Sequence, residues 1–245
     1  MGKPLSDDNA RASVRRSNNG SSPGRRWIGL VLLVLGGTVA GVRADALAPV
    51  AWRAAEQQLA STPAWLAWRE LIEIQRRQWL RMDPGKERAV LEAVNAFWNR
   101  IPYVEDQDHW GVEDYWASPL ETLLSNGADC EDYVIGKYFT LIEIGVAAHQ
   151  LRLTHAALKG SSLPHMVLAY YPRAGADALI LDNLTPAISP SARRTDLLPV
   201  YGFNDEYYWL ADSTSFREPA NRMVRWRELR ERIASQAGPQ LEGAP

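Results

Sequence analysis

Cysteine is almost absent from this 245-residue chain: Cys130 stands alone, so no disulfide can form within the chain and any thiol chemistry rests on that one side chain. Net charge is also small, −2 at neutral pH. There is no EF-hand pattern and no internal repeat. Hydrophobic residues make up 46% and charged residues 23% of the chain, which excludes wholesale disorder, collagen and a polytopic membrane protein. The length suits one large domain or two small ones.

The N-terminal segment carries Lys3, Arg11, Arg15, Arg16, Arg25 and Arg26, followed by the uncharged run Trp27 to Val42 and then Ala44-Asp45-Ala46. Basic, apolar and small-residue segments in that order predict a secretory signal over residues 1–46, cleaved near Ala46. The apolar run falls short of the roughly 20 residues a spanning helix needs, and an uncleaved anchor is the alternative. Seven of the 27 Lys/Arg and three of the 29 Asp/Glu lie in this segment, so the remainder has 20 basic and 26 acidic residues, a net charge of −6. An acidic exported domain argues against nucleic acid as a partner. In an oxidising compartment structural cysteines come in pairs, so a lone one reads first as a reactive thiol.

From Leu47 to Arg100 the pattern is helical: Trp65, Trp68, Ile72 and Trp79 form one stripe, and Val90, Leu91, Val94, Phe97 and Trp98 a second, with Asp83 placed as a cap between them. That period makes the tryptophans packing residues. An acidic loop from Tyr103 to Tyr115 precedes Ser118-Pro119-Leu120-Glu121, which has capping-box form and opens a short helix ending at Asn126-Gly127. A longer helix begins near Asp129 and runs to Gly145. Strands are expected at Gln150 to Thr154, His165 to Tyr171, Ala178 to Asp182 and Tyr207 to Ala211, then a helix at Asn221 to Ala234 and a frayed tail over residues 236–245. Helices first and antiparallel strands after make an α+β domain over residues 47–235.

Cys130 falls where a glycine turn feeds the first turn of a helix, and unpaired N–H groups and the positive dipole end there favour thiolate. A small buried residue at a helix start is the structural alternative. Pairing Tyr171 with Ala178 across the turn sets Val167 opposite Asp182 and His165 opposite Leu184, which turns His165 and Asp182 to one face, a diagonal step apart. A slip of one residue would separate them. Cys130 as nucleophile, His165 as base and Asp182 as the group that orients the imidazole form a catalytic triad. A satisfied core histidine and a strand-end turn aspartate are the bland readings of the last two.

Asp129-Cys130-Glu131-Asp132-Tyr133, His165-Met166-Val167-Leu168, Leu181-Asp182-Asn183-Leu184 and Arg194-Thr195-Asp196-Leu197-Leu198-Pro199-Val200-Tyr201 together resemble the bacterial transglutaminase-like cysteine proteinases, in particular those of the LapG type. The resemblance spans roughly Asn99 to Ala211 in the order Cys, His, Asp. It implies a papain- and transglutaminase-like core with Cys130, His165 and Asp182 as the triad. It also implies a calcium-dependent periplasmic endopeptidase that cuts the N-terminal region of a large surface adhesin at paired alanines, releasing it and dispersing biofilm. The implied regulator is a LapD-type inner-membrane receptor for cyclic di-GMP.

Three carboxylates, Asp129, Glu131 and Asp132, flank the thiol. They suit a helix N-terminus, by about 0.3–1 kcal/mol each, yet they oppose thiolate formation. A hard cation would resolve that conflict, and calcium suits clustered oxygens. The resemblance carries the three over as Ca2+ ligands, and the Glu105 to Asp114 loop is a source for a further carboxylate. Zinc on His149, His155, His165 and Cys130 lacks any zinc-motif spacing. Two other functions share these residues: acyl transfer to an amine, as in transglutaminases, and a catalytically silent calcium-stabilised binding module.

Overall fold

Thr62 opens the first helix of the computed structural model, which describes residues 62–81, 86–161, 163–211 and 217–237. The N-terminal signal, the Asp83 cap and the chain after residue 237 lie outside these residues. In α1 (Pro63–Leu80) the Thr62 hydroxyl accepts the Trp65 N–H and Pro63 takes the first helical position, where its missing donor costs nothing. Trp65, Trp68 and Ile72 of α1 are buried, as are Val90, Leu91, Val94, Phe97 and Trp98 of α2 (Glu87–Trp98). Trp65 and Trp68 are therefore core, whereas Trp79, the last of the expected stripe, is only half-buried and donates its indole N–H to the Gly145 carbonyl at 3.1 Å. A four-residue turn, α3 (Asp106–His109), sits within the acidic loop.

The capping box forms as expected at α4 (Pro119–Ser125): Ser118 Oγ accepts the Glu121 N–H, and Glu121 Oε2 accepts the Ser118 N–H at 2.7 Å. Asn126, at φ 55°, ends that helix in the left-handed region. The central helix, α5 (Cys130–Ile144), stops at Gly145, whose φ of +112° a side chain would disfavour.

Helix α5 is buried on almost every side, which explains why its sequence is apolar without a clean stripe. It packs against α1, α2 and α4 as well as the sheet. One hydroxyl joins three helices: Thr140 Oγ1 accepts the indole N–H of Trp68 at 2.8 Å and of Trp98 at 2.9 Å, and donates to the Gly136 carbonyl at 2.7 Å. Gly136 permits this approach, because a Cβ there would lie 2.5 Å from the Trp98 ring.

The sheet has seven antiparallel strands in the order β4-β3-β2-β1-β5-β6-β7, made of β1 (Leu151–Leu158), β2 (Pro164–Tyr170), β3 (Leu179–Leu181), β4 (Ser189–Pro190), β5 (Leu197–Phe203), β6 (Tyr207–Leu210) and β7 (Arg217–Pro219). Leu168 pairs with Leu181 and Tyr170 with Leu179, the register expected across the turn. Strands β4, β5 and β7 lie outside the strands expected from sequence, and each contains a proline. In β5, Pro199 faces Ala156 beside a bulge, one of the few strand sites that tolerates a residue without an N–H. The last described element is α6 (Val224–Ala237), displaced by three residues from the expected start, with Trp226 stacked on Phe139 of α5 at 5.7 Å. Among the described residues no helix is long and apolar enough to cross a membrane.

Candidate active site

Cys130 is the first residue of α5 and is half-buried, so its sulfur lies at the positive end of a 15-residue helix. Its thiol donates to Glu131 Oε2 at 3.0 Å. Burial raises the thiol pKa, and the charge and hydrogen bond of Glu131 and the charge of Asp129 raise it further; a backbone hydrogen bond from Met166 acts the other way. These groups oppose the helix dipole, which favours the thiolate.

His165 is the second residue of β2, and Asp182 follows the last residue of β3. The pairing of these strands brings His165 Nε2 to 2.8 Å from Asp182 Oδ1, and both side chains are buried. The Leu184 N–H donates to the same oxygen at 3.0 Å, while Arg194 Nη2 donates to Oδ2 at 2.7 Å. Burial alone would raise the Asp182 pKa, but the hydrogen bonds from His165, Leu184 and Arg194 outweigh it and hold the carboxyl at about 2. Asn99 fixes the backbone beside it by donating to the Asp182 carbonyl at 2.8 Å.

Cys130 and His165 line one cavity, whose walls include Glu131, Trp116, His155 and Tyr201. His155 and Tyr201 face each other across the bulge between β1 and β5, their rings parallel within 3° at 4.8 Å. Both residues line the same cavity as Cys130. Asp114 and Arg225, also on the rim, form an ion pair that ties the acidic loop to α6, and Arg232 of the same helix donates to the Trp116 carbonyl.

The carboxylates divide into two groups. Asp106, Asp129 and Asp132 are buried and offer one oxygen each within 4.8 Å of one another. Asp106 and Asp132 each use the other oxygen to hold the loop, Asp106 from the Tyr115 N–H and Asp132 from the Ala117 N–H at 2.8 Å. Asp106 Oδ1, Asp129 Oδ1 and Asp132 Oδ2 are left without a hydrogen-bond partner. Burial, followed by the charges of Glu131, Asp132 and Asp106, pushes Asp129 up to about 9; burial also raises Asp132 and Glu131. Unpartnered buried oxygens from three carboxylates are a donor set that fits a hard cation such as calcium. Glu131 belongs to a second, overlapping group with Asp106 and Asp114, and accepts the hydrogen bond of the Cys130 thiol.

Of the residues singled out from sequence, the fold brings Cys130, His165 and Asp182 to one region, and Asp129 and Asp132 to one carboxylate cluster. Asp106 completes that cluster from the acidic loop, which the sequence marks only as a source of a further carboxylate. His155, considered as a zinc ligand, is instead a cavity wall. Arg194 and Lys137 were not assigned roles. Lys137 is fully buried with no hydrogen bond to its amine, and burial lowers its pKa to about 7. It lies two turns along α5 from Cys130, a spacing that reads as an ordinary polar position until the helix is seen to be buried.

A family model described as bacterial transglutaminase-like cysteine proteinase BTLCP matches residues 72–198. Legionella pneumophila LapG in its EGTA-treated form is 37% identical, covering 76% of this chain and 97% of that one, with a TM-score of 0.65. A second Legionella pneumophila LapG structure is 36% identical over 76% and 95% of the two chains, TM-score 0.63. The calcium-bound form of the same protein is 36% identical over 75% and 98%, TM-score 0.63. No curated protein matches the chain. The helix carrying the lone cysteine and the strands carrying the imidazole and carboxylate all fall within the matched residues, and the chain belongs to the bacterial transglutaminase-like cysteine proteinases as a LapG-like protease.

Proposed function

We propose that the protein is a calcium-dependent cysteine endopeptidase in which Cys130 attacks the scissile carbonyl, His165 takes and returns the proton, and Asp182 fixes the imidazole. The observation that carries this reading is the 2.8 Å contact of His165 Nε2 with a buried carboxylate held at about 2, on the wall of the cavity that also exposes Cys130. With Nε2 committed to Asp182, Nδ1 is the ring nitrogen left for the thiol. The thiolate sulfur of the thiolate–imidazolium pair adds to the peptide carbonyl carbon, the tetrahedral oxyanion collapses to a thioester with expulsion of the amine, and the imidazolium proton goes to that amine. Water activated by the same imidazole then cleaves the thioester. The Cys130 backbone N–H, at the unpaired start of α5, is the first donor for the oxyanion.

Asp106, Asp129 and Asp132 are the residues that would hold calcium, with Glu131 adjacent. A bound cation supplies positive charge that offsets these carboxylates beside the thiol. The calcium-bound LapG match and the unpartnered oxygens support this assignment.

The substrate proposed is the N-terminal region of a large cell-surface adhesin, encountered in the periplasm after export through the segment 1–46, with a LapD-type cyclic di-GMP receptor as regulator. Likeness to LapG supports this reading. Incubation of the calcium-loaded protein with exported proteins of the same cell, followed by N-terminal sequencing of new fragments, tests it. Cleavage of a surface adhesin that is lost in Cys130→Ala is the expected result. Absence of any fragment, together with incorporation of a labelled amine into a glutamine peptide, would assign acyl transfer instead.

A further inference from the structure

We infer that Arg194 is a positioning residue of this site, acting through the second oxygen of Asp182 to lock the carboxylate in the orientation that His165 requires. The inference rests on the triad reading. A carboxylate that orients an imidazole must not rotate about its Cβ–Cγ bond, and a hydrogen bond to one oxygen does not prevent that. Asp182 Oδ1 is occupied by His165 at 2.8 Å and by the Leu184 N–H at 3.0 Å, so the rotation is governed by what holds Oδ2. Arg194 Nη2 holds it, at 2.7 Å.

Arg194 is itself fixed. Its Nε and Nη2 fork onto Asp196, at 3.0 Å to Oδ1 and 2.7 Å to Oδ2, and its backbone closes the short turn Ser191–Arg193 by donating to the Ser191 carbonyl at 3.0 Å. The chain Asp196, Arg194, Asp182, His165 thus runs from a half-exposed carboxylate to the cavity wall. Lys137 also interacts with Asp182 through its charge, but its amine makes no hydrogen bond. It can supply charge to the region without supplying direction. Orientation falls to the guanidinium, whose planar fork meets both carboxylates at once.

Because Cys130 is the chain's one cysteine, iodoacetamide reports on it without a substrate. In the calcium-saturated full chain at neutral pH, Arg194→Met is expected to slow alkylation by about tenfold or more, with Arg194→Lys intermediate. Asp182→Asn is expected to slow it at least as much, and adding Arg194→Met to Asp182→Asn to change the rate by less than about twofold, since the pathway is already cut. The downfield proton resonance of the His165 Nε2–H should shift or vanish in Arg194→Met, which a purely structural role would not cause. Should Arg194→Met fail to fold by near-ultraviolet circular dichroism, Asp196→Asn carries the test, because it removes only the half-exposed outer anchor. A slowing of about twofold or more, absent in the Asp182→Asn background, is then expected. Wild-type alkylation in the folded Arg194 variant, or in Asp196→Asn if that is the one read, overturns the inference, as do losses that multiply in the double variant. A wild-type rate in Asp182→Asn overturns the triad reading itself, whereas a slow Asp182→Asn beside a fast Arg194→Met overturns only the role of Arg194.

Discussion

His165 meets Asp182 through Nε2 at 2.8 Å, across the short hairpin between β2 and β3. Seventeen positions separate them in sequence, and their contact depends on the register of three residue pairs, Leu168 with Leu181, Ala169 with Ile180 and Tyr170 with Leu179. A shift by one would turn the carboxylate to the opposite face. The site is thus a consequence of sheet packing, which sets that register, as much as of the residues that compose it.

Packing around α5 gives a first prediction. Gly136→Ala places a methyl group 2.5 Å from the Trp98 ring, whose indole N–H is already tied to Thr140. Overpacking of about 1–3 kcal/mol is expected to exceed the gain of about 1 kcal/mol in helix propensity. Urea denaturation should show a lower midpoint with unchanged slope; a midpoint equal to wild type would mean that the two helices separate freely.

Lys137 gives a pH prediction with a definite sign. Its folded pKa is lowered to about 7 from 10.5, so the unfolded chain binds more protons between those values and the folded state gains stability as pH rises through that window. Lys137→Met removes a buried amine without a hydrogen bond and should stabilise the protein at pH 7 by about 1–3 kcal/mol. The advantage should shrink by pH 10. An advantage that grew with pH would contradict the burial account.

Calcium should raise the melting temperature, by the equivalent of about 2.7 kcal/mol at a hundredfold excess over its dissociation constant. Asp129 is held protonated up to about 9 by burial and its neighbours, so binding must release protons, and affinity should rise with pH through the neutral range. Asp106→Asn should weaken the thermal shift by removing one of the three converging oxygens. Identical melting in EGTA and calcium would show that the carboxylates serve only to brace the loop.

Much of this arrangement is legible in the sequence, because the signals are local. The capping box at Ser118 and the glycine stop at Gly145 each depend on a few adjacent residues. Strand β5 was hidden because Pro199 and Gly202 argue against a strand unless a bulge accommodates the proline. Asp106 was hidden because only tertiary packing of the acidic loop onto α5 buries it among Asp129 and Asp132. Arg194 was visible as part of a motif, but its partner at Asp182 lies on another segment of chain.

The most direct test of the central claim is the second-order rate of iodoacetamide alkylation at Cys130 near neutral pH, in wild type and in His165→Ala, both saturated with calcium. The imidazole is expected to hold the sulfur as thiolate, so wild type should react about tenfold or more faster than free cysteine and His165→Ala should fall back toward the free rate. A wild-type rate no greater than that of free cysteine, or one unchanged by loss of the imidazole, would contradict catalysis by this pair.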